Sequence, residues 1–165
     1  SLHDALPIYH CFKKNRPLIY FSPKGKPLNQ DTIEKFSLTK GVSIICGHFE
    51  GIDQRIIDLH DIEEISIGDY ILSGGEIATI VFLDSLVRLL PDVLGNDNSK
   101  KIETFTDGLL EYPQYTKPNE FKGMKIPDIL LSGNHKAIKE WQENQALSLT
   151  KLRRPDLIDK KKDKI

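Results

Sequence analysis

The chain has 165 residues, a formal net charge of −1 and two cysteines, Cys11 and Cys46, set far apart. That is one ordinary domain, or a small domain with an appendage, long enough to bury a core. The composition excludes a disulfide scaffold and a cysteine-rich metal site, and any binding to nucleic acid must use a local patch or a partner chain rather than an overall basic surface.

No charge-free apolar run approaches the ~18 residues of a membrane span. The opening SLHDALPIYHCF lacks the basic and apolar regions of a signal peptide, so a reducing cytoplasm is the expected compartment. Residues 17–21, PLIYF, read as a buried strand, and Ser22–Pro27 as a loop dense in turn formers. Asp31 and Glu34 have capping-box spacing for a short helix ending near Leu38. Residues 42–46, VSIIC, form a second buried strand. The glycine loop Gly47–Asp53 follows, and then a short helix, DQRIIDLH.

Residues 64–76, EISIGDYILSGGE, organise the rest. Ile65 and Ile67 alternate as a strand does, and Gly68, Gly74 and Gly75 lie within eight residues. A helix is expected over 75–90, with Ile77, Ile80, Val81, Leu83, Leu86, Val87 and Leu90 as a broad apolar face, ended by Pro91. A lone Gly–Gly is better explained by a tight turn than by a ligand. Three loops of this kind, each after the carboxyl end of a strand, favour a ligand, because open α/β sheets bind theirs at that edge.

Past Pro91 the character changes. Gly95–Lys101 is a polar linker, 103–126 is loop-rich, aromatic and charged, and KAIKEWQENQALSLT is a helix entered through Ser132–His135. Arg153–Leu157 starts another turn, and Lys160–Lys164 is a charged tail. There is no P-loop lysine, no GxGxxG after a strand and no convincing Ser/His/Asp or Cys/His set. His48 and His135 read as surface or capping residues, and Cys46 as core. Backbone amides and apolar side chains with few charges suit a small ligand with an adenine-like ring.

Seven stretches in order, IYFSPKGKPL, ICGHFEGIDQR, EEISIGDYILSGGE, RLLPDVLGN, DGLLEYPQYTKP, MKIPDILLSGNH and LRRPDL, give the chain a specific resemblance over about 17–157. It resembles the bacterial tRNA (guanine-37-N1) methyltransferases of the knotted SPOUT class. The resemblance implies an α/β fold: an open, mostly parallel sheet with a C-terminal trefoil knot, then a small helical domain. Residues 1–94 would be an incomplete cofactor domain, 95–102 a linker and 103–165 a tRNA-binding domain. It implies methylation of N1 of guanine 37, next to the anticodon, with S-adenosylmethionine as methyl donor; no metal ligands are singled out, and metal dependence stays open. The partners implied are the tRNA anticodon stem-loop and a second copy of the chain, with each active site shared between subunits and no membrane.

By matched position, the cofactor residues are Tyr20, Phe21, Ser22, Pro23, Gly47, Phe49, Glu50, Gly51, Ile67, Gly68, Tyr70, Leu72, Gly74 and Gly75, with Asp69 and Ile71 in the same loop. Glu103 falls on the family's catalytic carboxylate and Arg88 on its guanine-side arginine. The chemistry is coherent. A carboxylate would take the N1 proton, and a cation near O6 would stabilise the developing charge.

Departures from the pattern are Glu103 for aspartate, Lys24 for glutamine and Phe49 for tyrosine. The family's first strand and early glycine-rich segment have no counterpart before Pro7, and residues 1–6 read as foreign to it. Two alternatives stay open: an inactive truncated fragment, and a knotted ligand- or RNA-binding module without turnover. Asp107, four residues on, is the rival carboxylate to Glu103.

Overall fold

The structure is a computed structural model, and it describes residues 15–48, 51–91, 93, 104–105 and 108–162, with side chains as far as residue 158. The chain divides into two compact units, 1–95 and 96–165.

The first unit is built on a parallel sheet. Its strands are β1 (Leu18–Pro27), β2 (Ser43–Ile45) and β3 (Glu63–Ser66), and among the described residues they lie in the order β2–β1–β3. Helices α1 (Gln30–Ser37), α2 (Gln54–Leu59) and α3 (Glu76–Val87) follow the strands in turn. Side chains of a strand alternate between faces, so β1 serves two cores. Ile19 and Phe21 pack with Ile33 and Phe36 of α1, Ile65 of β3, and Ala78 and Phe82 of α3. Leu18 and Tyr20 pack on the other face with Ile45, Ile57 of α2 and Ile62, whereas Cys46, read from the sequence as core, lies just past the end of β2 and is exposed. The chain therefore leaves β1 in one direction to reach β2 and crosses back to reach β3. The winding reverses at β1, the switch point where open α/β sheets form their crevice.

The loop expected at Ser22–Pro27 is only partly a loop. Both Phe21 and Lys26 pair with Ile65, and Pro27 pairs with Ser66, so 22–25 loop out while the strand resumes. The turn formers mark the excursion, and the ladder regains its register because the backbone of Lys26 still reaches β3. Helix α1 is capped two residues earlier than the capping-box spacing suggests. The Asn29 side chain accepts the Thr32 N–H at 2.9 Å, and Glu34 instead takes a hydrogen bond from Gln30 at 3.3 Å. Helix α2 is capped by Asp53, whose carboxylate accepts the Arg55 N–H at 2.9 Å. Hydrogen bonds from Arg55, side chain first and then backbone, hold Asp53 down at about 2. The cap is therefore complete above the ordinary aspartate value and is lost only as pH falls through about 2.

Helix α3 stops at Val87 rather than at 90. It is apolar all round, yet a helix on a sheet turns only one stripe inward. Ala78 and Phe82 make that stripe, while Ile77 at 58 % and Ile80 at 60 % lie on the exposed surface with Val81, Leu83 and Val87.

In the second unit, a short antiparallel hairpin joins β4 (Glu120–Phe121) to β5 (Met124–Lys125), and α4 (Asp128–Leu131), α5 (His135–Arg153) and α6 (Pro155–Lys162) follow. The expected helix is α5. Its cap is Asn134, whose side chain accepts the Ala137 N–H at 3.2 Å, so His135 is the first helical residue rather than the cap. The turn expected after Arg153 opens a further helix, α6, because Pro155 suits a first helical position. Thr150 is fully buried. Its hydroxyl accepts the Leu110 N–H at 2.9 Å and donates to the Ala146 carbonyl at 2.7 Å, tying the irregular segment to α5. Trp141 meets Tyr115 with ring centroids 6.3 Å apart.

Candidate functional site

A cavity of about 380 Å³ opens at the carboxyl ends of the three strands, within the range of small-molecule sites. The end of β1 gives it Tyr20, Phe21, Ser22 and Pro23. The loop after β2 gives Gly47 and Gly51. The loop after β3 gives Ile67, Gly68, Tyr70, Ile71, Leu72, Gly74 and Gly75. These are the residues singled out from the sequence, with three differences. Asp69 is exposed in the same loop and does not line the cavity. Phe49 and Glu50 lie outside the described residues.

Local hydrogen bonds shape the loops. The Ser66 hydroxyl accepts the Gly68 N–H at 3.2 Å and donates to the Gly68 carbonyl at 3.1 Å. The Tyr70 hydroxyl donates to the Ile67 carbonyl at 3.2 Å. The Lys24 N–H donates to Ser22 Oγ at 3.2 Å, which closes the excursion in β1. Two glycines are fixed by close approach. A Cβ on Gly47 would stand 2.7 Å from Cε2 of Tyr20, and one on Gly75 would stand 3.0 Å from the Cα of Cys46. Real Cβ atoms do not come as near as the contact at Gly47, and the one at Gly75 is tighter than nearly all of theirs, so both turns favour glycine.

The sequence reading passed over Lys24, His48 and Ser73, which also line the cavity, and Ile52, Ile57, Ile65, Ser66 and Ala78, which pave it. From the sequence, Lys24 stands out only as a departure from the family pattern and His48 only as a surface or capping residue, although both lie inside loops already singled out. The pavers read as core, and most of them serve as core too. His48 pairs through Nε2 with Glu76 Oε1. Burial, and after it the Glu64 carboxylate, push the Tyr20 hydroxyl above its ordinary value, so it stays a neutral donor. The walls are thus mostly aromatic, aliphatic and backbone amide, with Lys24 and His48 as their basic side chains among the described residues. That lining suits a flat heterocycle with a polar tail.

Arg88 caps α3 at its C-terminus, its N–H donating to the Asp84 carbonyl at 3.4 Å, and its side chain is exposed. Glu103 and Asp107 lie outside the described residues. Among the described residues, no three His, Cys, Asp or Glu side chains converge to hold a metal ion, and no helix is long and apolar enough to cross a membrane.

Known proteins resemble the chain along nearly its whole length. A family model, tRNA (Guanine-1)-methyltransferase TrmD, matches residues 2–160, so it takes in most of the stretch 1–6 that the motifs left unmatched. A tRNA (guanine-N(1)-)-methyltransferase of Pelagibacter ubique is 53% identical over 150 residues, covering 91% of this chain and 66% of that protein. Proteins of the same name are 48% identical in Clostridioides difficile, over 96% of this chain and 72% of theirs, and 54% identical in Agrobacterium fabrum, over 94% and 68%. The chain spans about two thirds of the length of these curated relatives. On the family match and on this level of identity, the chain belongs to the tRNA (guanine-1)-methyltransferase TrmD family.

Proposed function

We propose that the protein methylates N1 of guanine 37 in tRNA, using S-adenosylmethionine bound in the strand-end cavity. The observation that carries this reading is that one cavity gathers residues of all three loops in a chain that matches the TrmD family over 2–160. The lining fits the group. Tyr20 and Tyr70 offer flat rings, and Gly47, Gly74 and Gly75 leave the backbone bare toward the space. Together they would hold the cofactor and exclude water from one side of it. When bound, the cofactor supplies a sulfonium methyl that is already electrophilic.

The remaining work falls to the chain. Glu103 accepts the proton of guanine N1, which frees the lone pair that would bond the methyl carbon as that carbon's bond to sulfur breaks and its electrons stay with the departing thioether. Arg88 faces the developing negative charge at O6. Holding both substrates in line contributes the rest. In this reading residues 1–94 form the cofactor domain, carried on a trefoil knot, 95–102 the linker and 103–165 the part that grips the anticodon stem-loop. The protein acts in the cytoplasm as a homodimer whose subunits share each active site. The apolar side chains that α3 leaves exposed, Ile77 and Ile80 foremost, support a second copy as their cover.

The test is transfer of a labelled methyl group from S-adenosylmethionine to unmodified tRNA. Label is expected at N1 of guanine 37, and none in a transcript carrying adenine there. Label at another position would refute the substrate assignment. Arg88→Ala is expected to lower turnover by about a hundredfold, the usual cost of one electrostatic stabiliser. Cofactor affinity should stay within about threefold, because Arg88 acts on the nucleobase. Normal turnover in that variant would make Arg88 a surface residue.

A further inference from the structure

The loop after β2 and the start of α3 are joined at four points on one rim of the cavity. His48 and Gly74 form an isolated antiparallel bridge, and the Gly75 N–H donates to the Gly47 carbonyl at 2.9 Å. Cys46 Sγ and Thr79 Oγ1 meet at 3.2 Å. Above these, His48 Nε2 pairs with Glu76 Oε1, each side chain 52% exposed. Gly47, His48, Gly74 and Gly75 all line the cavity. The pair lies across Gly74: a Cβ added there would overlap the Glu76 carboxylate and stand 2.8 Å from His48 Cε1. Among these joints, the His48–Glu76 pair alone links two charged or chargeable side chains.

We propose that His48 and Glu76 are positioning residues: a side-chain clasp that holds the two glycine loops at the spacing the cofactor needs. This rests on the reading of the cavity as the S-adenosylmethionine site. Glu76 is prepared for the role by where it stands. Gly75 gives α3 no side-chain cap, so the first turn has amides to satisfy. Glu76 takes its own backbone N–H, and that bond, followed by His48, holds its carboxyl below the ordinary glutamate value. The charge is thus fixed at the positive end of the helix, and His48 draws its loop onto it. The clasp touches no reacting atom, so its effect falls on affinity. A half-exposed pair makes that effect modest.

Calorimetric titration of S-adenosylmethionine into the full chain tests this with His48→Ala, Glu76→Gln and the double variant. Glu76→Gln leaves the helix start intact, so a folded comparison is available even if His48→Ala loosens the loop. Each single variant should bind about fivefold more weakly, in keeping with a partly exposed side-chain hydrogen bond to a carboxylate. The double variant should be no weaker than the worse single one, because both remove one interaction. His48→Arg, which keeps an N–H donor that can reach the Glu76 carboxylate, should restore affinity to within about twofold. Single effects that multiply in the double variant, or no rescue by arginine, would overturn the clasp. So would unchanged affinity in His48→Ala while the unaltered chain binds. If the unaltered chain binds no cofactor, the cavity reading fails and the clasp fails with it.

Discussion

Replacing Glu103 with glutamine should lower methyl transfer to tRNA by about two orders of magnitude or more, the usual worth of a general base, with cofactor affinity unchanged. Guanine N1 carries a proton that must leave before the nitrogen can bond carbon. A carboxylate of ordinary pKa is ionised at neutral pH and can accept it. The amide keeps the shape of the side chain and cannot take a proton. Glu103 follows the polar run Gly95–Lys101 and directly precedes Thr104–Phe105, the place that the resemblance matches to the family's catalytic aspartate. Glu103→Asp shortens the arm by one methylene, restores the family's residue and should stay active. Single-turnover transfer measured on both variants decides the point. If Asp107→Asn abolishes transfer and Glu103→Gln does not, the base is Asp107.

Phe82→Ala should cost about 3–5 kcal/mol of stability, the range for emptying a large buried ring site. Phe82 is completely buried, with the ring of Phe21 5.7 Å away and that of Phe36 5.4 Å away, edge-on. It joins α3, α1 and β1 at one place. Domains have only about 5–15 kcal/mol in hand, so the loss would unfold a large part of the population at modest denaturant. Phe21 also lines the cavity, so cofactor binding should weaken in whatever remains folded. Phe82→Leu, which keeps most of the volume, should cost under about 1.5 kcal/mol. Denaturant midpoints for the two variants that differ little from the parent would show that the core does not turn on this ring.

The strands and the cavity were legible in the sequence for related reasons. PLIYF and VSIIC are short apolar runs that end in a serine or glycine loop, and Ile65 and Ile67 alternate as a strand does before Gly68. A parallel sheet buried on both faces writes itself that way. What was illegible depended on distance or on a choice between equals. Asn29 and Asp31 can both cap a helix, and only the backbone geometry at Thr32 selects Asn29. Lys26–Pro27 look like turn residues, and they regain strand pairing through β3, which lies some forty residues on by chain order. His48 and Glu76 are 28 positions apart, and no local pattern pairs them. The helix after Gly75 reads as broadly apolar, and nothing in its period says that the sheet takes Ala78 and Phe82 and leaves Ile77 and Ile80 outside.

Calorimetric titration of S-adenosylmethionine into the full chain and into Gly47→Val tests the central claim most directly. At that position a Cβ would stand 2.7 Å from the Tyr20 ring that lines the cavity, so the branched side chain must displace the ring or occupy the space. The account predicts saturable binding at one site per chain, weakened by about tenfold or more in the variant, as overpacking of a tight site does. A folded chain that binds no cofactor, or a Gly47→Val variant that binds as tightly as its parent, would contradict it.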